Sequence, residues 1–278
     1  MNSVKVQFSL KDPRNRKIIT KLEKQVHILG ISEVCKSEDN LLIEVYCSKE
    51  TVTEILEIIN ESNNTEGTSI REIDKNIDWE GFAKKLNKAV IIDDFYFCAP
   101  WDNTILDNKK RVVISPGQAF GTGSHESTRI SVLQIQAYLK KKKAKNMLDL
   151  GTGTGIVSFV ANMMGQNNIY AIDNDFEALA NAIENSKLNQ GGNEINFQHK
   201  GVFSIIDQFE LVSVNMFAEE LIKIRGDLER ISHKDSTILV SGVEKDKEKW
   251  IYRHFEKTFS VQLREEISGW VGLSLIKK

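Results

Sequence analysis

The sequence predicts an α/β protein with a mostly parallel sheet of seven strands and a small N-terminal α+β domain. Three observations predict it. An apolar run at 146–150 leads directly into a turn that contains three glycines. From residue 125 to the end, helical and strand-like segments alternate, which is typical of parallel sheets covered by helices. The first 75 residues show the order β-α-β-β-α-β, so we predict a ferredoxin-like domain followed by a Rossmann-like one.

The smaller domain is predicted over residues 1–75. Two amphipathic segments, 13–29 and 52–59, repeat apolar residues at helical spacing, and Gly30 is expected to end the first of them. Four further segments have the pattern of strands, at 4–8, 31–35, 41–47 and 68–73. Because the domain has no cluster of candidate catalytic groups, we interpret it as a substrate-recognition domain.

The larger domain is predicted over residues 116–278, behind a connector at 76–115. The connector contains the aromatic run Phe95, Tyr96 and Phe97, a pattern that is more often interdomain core than a ligand cage. Seven segments of the larger domain have the pattern of strands, at 146–150, 168–173, 194–199, 209–214, 236–241, 258–264 and 270–276. The last two leave no room for a helix between them, so we expect an antiparallel pair at the edge of the sheet.

The composition excludes several classes of protein. The chain has 278 residues, a net charge of −2 and 27% charged residues, which gives no reason to expect general attachment to nucleic acid. No apolar run approaches the length of a membrane span, and we expect neither a membrane segment nor a signal peptide. The three cysteines are widely spaced and the five histidines form no ligand pattern, so we expect no metal and a cytoplasmic location.

The glycine turn predicts a site for an adenosine-containing ligand. Gly151, Gly153 and Gly155 allow the backbone to approach a ligand closely. Asp173 comes 22 positions after Gly151 and ends the next strand, where a carboxylate can accept both ribose hydroxyls. Asp149 lies two residues before the first glycine and would oppose the pyrophosphate of NAD. Since S-adenosylmethionine has no phosphate and carries positive charge, the sequence favours this cofactor.

The loop before the glycine turn leads to a family resemblance. Residues 114–128 read Ile-Ser-Pro-Gly-Gln-Ala-Phe-Gly-Thr-Gly-Ser-His-Glu-Ser-Thr, and Asn-Met-Phe-Ala at 215–218 follows the fourth strand of the larger domain. Together with the glycine turn, these segments resemble the ribosomal protein L-eleven methyltransferase family, PrmA. That family's loop commonly reads D-P-G-x-A-F-G-T-G-T-H-P-T-T, and its fourth strand ends in N-I-L-A. The terminal Gly-Trp at 269–270 matches too, and the resemblance is dense over residues 76–278.

The resemblance implies a class I methyltransferase that moves methyl groups from S-adenosylmethionine to lysine or N-terminal amines of a ribosomal protein. Asn215 is the predicted catalytic residue, because its side-chain oxygen can accept a hydrogen bond from the amine. His125, at the start of a helix, fits a packing role better than a proton relay. The resemblance and the glycine turn together predict the cofactor-binding residues Phe120, Gly121, Thr122, Gly123, Thr128, Asp149, Gly151, Gly153, Asp173 and Asn215. The N-terminal domain would dock the substrate protein, and we expect a monomer.

The chain departs from the family's pattern in three places. Ser115 replaces an aspartate, and Glu-Ser at 126–127 replaces proline-threonine, which adds a negative charge beside the site. Met-Phe at 216–217 replaces isoleucine-leucine and enlarges the wall around the incoming amine. The last two bear on substrate choice more than on cofactor binding. The target is therefore open between the ribosomal protein, another protein lysine, a small amine and RNA.

Two hypotheses from other functional classes compete with this one. A nicotinamide oxidoreductase would use a similar glycine turn, but Asp149 argues against it. A non-catalytic sensor of S-adenosylmethionine would not need Asn215 in its methyltransferase-like position. The lysine run at 140–143, with Lys145, indicates a solvated loop, and a contact to ribosomal RNA is the functional alternative.

Overall fold

The computed structural model describes residues 3–11, 17–26, 28–37, 40–72, 89–115 and 123–278. The chain divides into two compact units, residues 1–86 and residues 87–278. The domain boundaries expected from the sequence, after residues 75 and 115, stay predictions.

The first unit contains a four-stranded antiparallel sheet and two helices. Its described elements are β1 (Ser3–Leu10), α1 (Lys17–Gln25), β2 (Ile28–Ser37), β3 (Asn40–Ser48), α2 (Val52–Glu61) and β4 (Thr65–Glu72). They follow the predicted order β-α-β-β-α-β, and the strands lie in the order β2-β3-β1-β4. Alternate residues of β1, among them Val6 and Phe8, are buried together with Leu22 of α1 and Ile55 of α2. The ferredoxin-like interpretation and the substrate-recognition role of this unit stay predictions.

Helix α1 ends earlier than its apolar spacing predicts. The predicted helix reaches residue 29, whereas α1 ends at Gln25 and β2 begins at Ile28. Val26 is still buried, and its N–H donates to the Leu22 carbonyl at 3.2 Å. Ile28 pairs with Cys47 of β3, so hydrogen bonding to the sheet decides the conformation of these residues over their helical spacing.

The second unit contains a three-stranded sheet and a seven-stranded sheet. The strands of the smaller sheet are β5 (Val90–Ile92), β6 (Phe95–Cys98) and β7 (Lys110–Val113). The strands of the larger sheet are β8 (Met147–Leu150), β9 (Ile169–Asp173), β10 (Asn196–His199), β11 (Phe209–Asn215), β12 (Ser232–Glu244), β13 (Phe259–Ile267) and β14 (Trp270–Lys277). The helices are α3 (Glu126–Leu139), α4 (Ile156–Met163), α5 (Phe176–Ser186), α6 (Ala218–Lys223), α7 (Arg225–Arg230) and α8 (Glu248–Phe255). Short 3-10 helices lie at Gly192–Glu194, Val202–Ser204 and Lys245–Lys247.

The seven-stranded sheet confirms the predicted mostly parallel architecture. Its strand order is β10-β9-β8-β11-β12-β14-β13, and each of the seven strand segments expected from the sequence is present. The pairs from β10 to β12 are parallel, and β14 is antiparallel to both of its neighbours. The order reverses beside β8, so the strand that leads into the glycine turn lies next to β9 and β11.

The predicted antiparallel pair of the last two strands is confirmed at the edge of the sheet, with the last strand, β14, on the inner side. β14 lies between β12 and β13, and β13 is the edge strand. Most of β14 is buried, including Val271, Leu273 and Leu275, whereas β13 exposes several polar residues. The more apolar strand of the hairpin therefore takes the interior position, where neighbours on both sides remove it from water.

The aromatic run of the connector belongs to the core of the second unit. Phe95 and Phe97 on β6 are buried in one apolar cluster with Val132 and Ile135 of α3 and Val157 of α4. This packing favours a core role over a ligand cage, and the predicted place of the run in an interdomain core stays a prediction. Of the other three aromatic residues of the predicted connector, Trp101 is half-buried, and Trp79 and Phe82 lie outside the described residues.

Two further findings concern the described part of the chain. None of its helices combines the length and the apolar character that a membrane crossing requires. Its His, Cys, Asp and Glu side chains also form no group of three or more that could hold a metal ion.

Candidate active site

Three of the predicted site residues meet at one edge of the seven-stranded sheet. Gly151 follows β8, Asp173 ends β9 and Asn215 ends β11. The strands are parallel neighbours in the order β9-β8-β11, with Leu150 of β8 in register with both flanking strands. The carboxyl ends of adjacent parallel strands lie together, and open α/β sheets bind their ligands there.

The backbone of the glycine turn requires glycine at two positions. Gly151 has a φ of +71° and Gly155 a φ of +85°, in the left-handed region. A Cβ atom on Gly151 would lie 2.9 Å from Cε of Met216, and one on Gly155 would lie 2.7 Å from Cζ of Phe159. The turn therefore presents bare backbone between β8 and α4, as the sequence predicts.

Asp173 stabilises the turn from the neighbouring strand. Its Oδ2 accepts the Gly153 N–H at 3.0 Å, and its Oδ1 accepts the Asp175 N–H at 3.0 Å. The side chain is 8% exposed, so it lies at the surface of the site with most of its area covered. Each carboxylate oxygen keeps a further lone pair, with which it can accept a hydroxyl of a ligand.

Asp149 is buried beneath the same turn. Its Oδ2 accepts the hydroxyl of Thr152 at 2.8 Å and that of Ser158 at 2.7 Å. Burial raises the pKa of Asp149 to about 6, and the negative charge of Asp173 acts in the same direction. The structure thus gives Asp149 a role in ordering the turn, and its direct contact with a cofactor stays a prediction.

The N-terminus of α3 offers an unsatisfied hydroxyl. His125 caps the helix, because its Nδ1 accepts the Ser127 N–H at 3.2 Å. Thr128 is 1% exposed, and its Oγ1 has no hydrogen-bond partner among the described residues. A buried hydroxyl without a partner at a helix N-terminus suits a ligand carboxylate, which helix N-termini favour.

Asn215 occupies space that a bulge in β12 leaves free. Gly242 has a φ of +82°, and a Cβ atom on it would lie 2.7 Å from Oδ1 of Asn215 and 2.6 Å from the carbonyl of Met216. The pairing of β12 with β14 shifts register between Val240 and Val243, around this glycine. Gly242 therefore allows the side chain of Asn215 to lie at the strand end, half-buried.

Aromatic rings surround Trp270 beside this strand end. The centroid of His125 lies 4.7 Å from that of Trp270, edge to face, and the centroid of Phe217 lies 6.0 Å from it. Burial lowers the pKa of His125. With its Nδ1 accepting a hydrogen bond, His125 is a neutral cap that packs on Trp270, in line with the packing role that the sequence favours.

The loop before α3 is described only at its ends. Phe120, Gly121 and Thr122 lie outside the described residues. Gly123 is buried, and a Cβ atom on it would lie 3.4 Å from Cδ1 of Ile156, at the start of α4. The predicted contacts of these four residues with a cofactor stay predictions.

The lysine run is partly neutralised by carboxylates. Lys140 Nζ lies 2.7 Å from Asp93 and 2.8 Å from Asp94, and Lys142 Nζ lies 3.6 Å from Glu210. These pairs favour the interpretation as a solvated loop. A contact between this run and ribosomal RNA stays a prediction.

Sequence reasoning missed the polar residues that connect the elements of the site. Two hydroxyls bind Asp149 within and just after the glycine turn, whereas the bulge glycine of β12 and a hydrogen bond between α3 and β12 join residues far apart in the chain. The sequence contains only weak signals for these residues. A glycine directly after a strand pattern indicates a bulge, and a serine or threonine within an apolar helix indicates a buried hydrogen bond, but neither pattern identifies the partner. The residues missed are Thr152, Ser158, Gly242, Ser131 and Ser241.

The comparisons with known proteins decide the family. The sequence model of the family described as "Ribosomal protein L11 methyltransferase (PrmA)" matches residues 9–278. The chain belongs to the ribosomal protein L11 methyltransferase (PrmA) family. A relative named ribosomal protein L11 methyltransferase, from Dictyoglomus thermophilum, is 30% identical over 254 residues, which cover 86% of this chain and 82% of the relative. A second one, from Caldicellulosiruptor saccharolyticus, is 32% identical over 203 residues, which cover 72% of this chain and 66% of the relative.

A solved structure of the same description supports the PrmA fold. The crystal structure of a ribosomal protein L11 methylase from Lactobacillus delbrueckii subsp. bulgaricus superposes with a TM-score of 0.63 at 24% identity. The match covers 68% of this chain and 98% of that chain. It shows that the two proteins share a fold.

Proposed function

We propose that this PrmA family member transfers methyl groups from S-adenosylmethionine to lysine or N-terminal amines of ribosomal protein L11. The observation that carries the proposal is the meeting of Gly151, Asp173 and Asn215 at the carboxyl ends of three adjacent strands. The acceptor comes from the names of its relatives, which are ribosomal protein L11 methyltransferases.

The described residues fit S-adenosylmethionine. The bare backbone at Gly151 leaves room that a Cβ atom would fill, and Asp173 can accept the ribose hydroxyls. The unsatisfied hydroxyl of Thr128 can donate to the carboxylate of the methionine part. The segment from Phe120 to Gly123 would cover that end of the cofactor. When bound, S-adenosylmethionine supplies a methyl group on a positively charged sulfur.

Asn215 would orient the acceptor amine. Its side-chain oxygen can accept an N–H of the amine, which directs the nitrogen lone pair. A lysine with a pKa of about 10.4 is protonated at neutral pH, and freeing its lone pair costs roughly 4 to 5 kcal/mol. His125 is neutral because its pKa is lowered by burial, and its Nδ1 is engaged as the cap of α3. We therefore assign the loss of the proton to desolvation beside the aromatic rings of Phe217 and Trp270.

The buried carboxyl of Asp149 argues against the nicotinamide alternative. Its pKa of about 6 leaves it mostly ionised at neutral pH, directly under the glycine turn. A pyrophosphate above this turn would face that charge in a region of low dielectric constant, whereas a cation would be stabilised by it. A ligand with positive charge therefore fits the turn better than NAD.

Methylation of purified ribosomal protein L11 tests the proposal. The protein is incubated with S-adenosylmethionine and L11, and the intact mass of L11 is measured by mass spectrometry. We expect the mass to rise in steps of one methyl substitution each. Parallel reactions contain ribosomal RNA or free lysine in place of L11. Methylation of either one, with L11 unchanged, would contradict the proposed acceptor.

Two variants separate cofactor binding from turnover. Asp173→Ala is expected to weaken the binding of S-adenosylhomocysteine by more than about tenfold, because the ribose and the Gly153 N–H both lose their acceptor. Asn215→Ala is expected to keep this binding and to lower kcat by about a hundredfold, because the amine loses its orienting partner. Calorimetry measures the first effect and initial rates the second. Unchanged binding in Asp173→Ala would contradict the assignment of the site.

A further inference from the structure

Strand β12 contains a bulge where it pairs with β14. The bulge lies between two paired positions, Val240 with Leu273 and Val243 with Val271. Between them β12 has two residues, Ser241 and Gly242, whereas β14 has one, Gly272. An extra residue interrupts the regular hydrogen bonds between the strands, so backbone groups beside the bulge need other partners.

The bulge borders the strand end that carries Asn215. On the other side of β12, Ser241 pairs with Asn215 of β11, and the Ser241 carbonyl accepts the N–H of Met216 at 3.2 Å. A Cβ atom on Gly242 would lie 2.7 Å from Oδ1 of Asn215. A shift of the bulge would therefore change the position of the Asn215 amide.

Ser131 of α3 binds the bulge through a buried hydrogen bond. Its Oγ lies 2.6 Å from Oγ of Ser241, and both side chains are buried. The hydroxyl of Ser131 donates to the Ser127 carbonyl at 3.0 Å, one turn earlier in the helix. Since a hydroxyl carries one hydrogen, Ser241 is the donor in the bond between the two serines.

Gln134 supports the same bulge one turn further along α3. Its side chain is buried. With the amide oriented so that both bonds form, Nε2 donates to the Val240 carbonyl at 3.3 Å and Oε1 accepts the Leu273 N–H at 3.1 Å. These two backbone groups belong to the last regular pair before the bulge. The helix thus binds polar groups of both strands at the position where their pairing is interrupted.

The same side of α3 carries a proposed cofactor contact. Thr128, Ser131 and Gln134 are spaced three residues apart, so they follow one another along one side of the helix. Thr128 has the unsatisfied hydroxyl that suits the carboxylate of S-adenosylmethionine. One side of a single helix therefore connects the residue that would hold the methyl donor with the strand beside Asn215, the proposed catalytic residue.

We propose that Ser131 is a positioning residue that holds the β12 bulge, and through it Asn215, in a fixed position relative to the cofactor end of α3. The methyl donor and the acceptor amine are bound by different elements, and transfer between them requires close alignment. The bond between Ser131 and Ser241 fixes these elements relative to each other. The inference rests on the roles that the proposed function gives to Thr128 and Asn215, and it does not depend on which amine is methylated.

Ser236 provides a matched control on β12. Its side chain is fully buried. Its hydroxyl donates to the Phe209 carbonyl of β11 at 2.7 Å and accepts the His233 N–H at 3.0 Å. Both bonds lie toward the opposite end of β12, away from the bulge. Ser131→Ala and Ser236→Ala each remove one buried hydroxyl, but only Ser131→Ala removes a contact with the bulge.

A cycle of variants measures how turnover depends on Ser131. In Ser131→Ala we expect kcat for L11 methylation to fall about tenfold, whereas the Kd for S-adenosylhomocysteine changes by less than about twofold. Ser241→Ala breaks the same bond from the strand, so it and the double variant Ser131→Ala/Ser241→Ala should show the same fall. In an Asn215→Ala background, Ser131→Ala should have no further effect, because the amide that it displaces is already absent. Ser236→Ala should keep kcat within about twofold.

Hydrogen exchange of single amides in the ligand-free full chain, followed by NMR, gives a readout besides activity. The Met216 N–H donates to the Ser241 carbonyl, so loosening of the bulge exposes it to exchange. We expect its exchange to become about tenfold faster in Ser131→Ala and to change by less than about twofold in Ser236→Ala. Thermal unfolding verifies that the variants are folded and measures the loss of stability that they share.

The outcomes are distinct. A wild-type kcat in Ser131→Ala, an equal fall in Ser236→Ala, or an undiminished fall in the Asn215→Ala background would overturn the positioning role. Equal exchange of the Met216 N–H in Ser131→Ala and Ser236→Ala would overturn it too. A wild type that leaves L11 unmethylated would refute the proposed acceptor, and the exchange of Met216 would then decide the link between α3 and the bulge. A wild type that does not bind S-adenosylhomocysteine would overturn both this inference and the proposed function.

Discussion

At the scale of single residues, the site depends on glycines whose missing side chains leave space for their neighbours. Gly242 is the clearest case, because the position of a Cβ atom there is within 2.7 Å of Oδ1 of Asn215. Gly165 has the same φ of +82°, but its Cβ position meets only Cε of Lys143, at 3.9 Å. The two glycines therefore have equal backbone strain upon substitution and differ in what a methyl group would displace.

We predict that Gly242→Ala lowers kcat by at least about tenfold, while Gly165→Ala leaves it within about twofold. Both variants should lose about 1 to 2 kcal/mol of stability from the left-handed backbone, and Gly242→Ala should lose more, because its Cβ would also lie 2.6 Å from the Met216 carbonyl. Only Gly242→Ala also displaces the amide of Asn215. Initial rates at saturating cofactor and denaturant unfolding measure the two effects. Equal kcat values in the two variants would show that Gly242 does not position Asn215.

A second residue-scale prediction concerns Asp149 and pH. Its pKa is raised to about 6 by burial, from an ordinary value of 3.8. A carboxyl whose pKa is higher in the folded state contributes stability below its unfolded pKa, and this contribution is lost as the pH rises through about 6. Asp149→Asn cannot ionise, and its oxygen can still accept the hydroxyls of Thr152 and Ser158.

We therefore expect the stability of the wild type, relative to Asp149→Asn, to fall by roughly 2 to 3 kcal/mol between pH 4 and pH 7. Denaturant unfolding of both proteins at several pH values measures this difference. A constant difference across the range would show that burial does not raise the pKa of Asp149.

At the scale of elements, α3 is held on the sheet by close packing and a buried hydrogen bond. Ser131 Oγ lies 2.6 Å from Ser241 Oγ of β12, and both side chains are buried. On the next strand, a Cβ atom on Gly272 would lie 2.2 Å from Cγ2 of Ile130. The helix approaches β14 so closely that only a glycine fits below it, and this approach places Thr128 and the cap His125 at the carboxyl edge of the sheet.

We predict that Gly272→Ala destabilises the protein by about 1 to 3 kcal/mol through overpacking. The double variant Gly272→Ala with Ile130→Ala should lose less stability than the sum of the two single variants, because each removes part of the other's strain or cavity. A double-mutant cycle by thermal or denaturant unfolding measures the coupling. Simple additivity would show that Ile130 is not the residue that limits the approach of α3.

At the scale of the whole molecule, the residues proposed for the cofactor all belong to the second unit. The two units have separate apolar clusters, one around Phe8 and Leu22 and others within residues 87–278. The substrate protein is predicted to dock on the first unit. Cofactor binding and recognition of the substrate protein are therefore expected to be separable.

We predict that a shortened chain beginning at Asn87 binds S-adenosylhomocysteine within about threefold of the full chain but methylates L11 at less than about a tenth of its rate. Circular dichroism verifies that the shortened chain is folded, and calorimetry and mass spectrometry give the two activities. A full rate of L11 methylation by the shortened chain would show that the first unit does not recognise this substrate.

The sequence by itself determined the features that depend only on residues close together in the chain. The seven strand segments, the glycine turn and the acid at the end of β9 all follow from short patterns of apolar residues, glycines and carboxylates. Gly151 and Asp173 could be placed at one edge from the alternation of strands and helices, because parallel topology carries the ends of adjacent strands together. Asn215 needed the family resemblance, since an asparagine at a strand end is commonly a turn residue.

Only the tertiary structure decided the contacts between distant segments. The interior position of β14, the bulge at Gly242 and the bond of Ser131 to Ser241 join residues separated by tens of positions or more. Sequence periodicity reports which face of an element is buried, but not which element covers it. Hydrogen-bond partners and close approaches depend on that covering element, so they become visible only when the chain is folded.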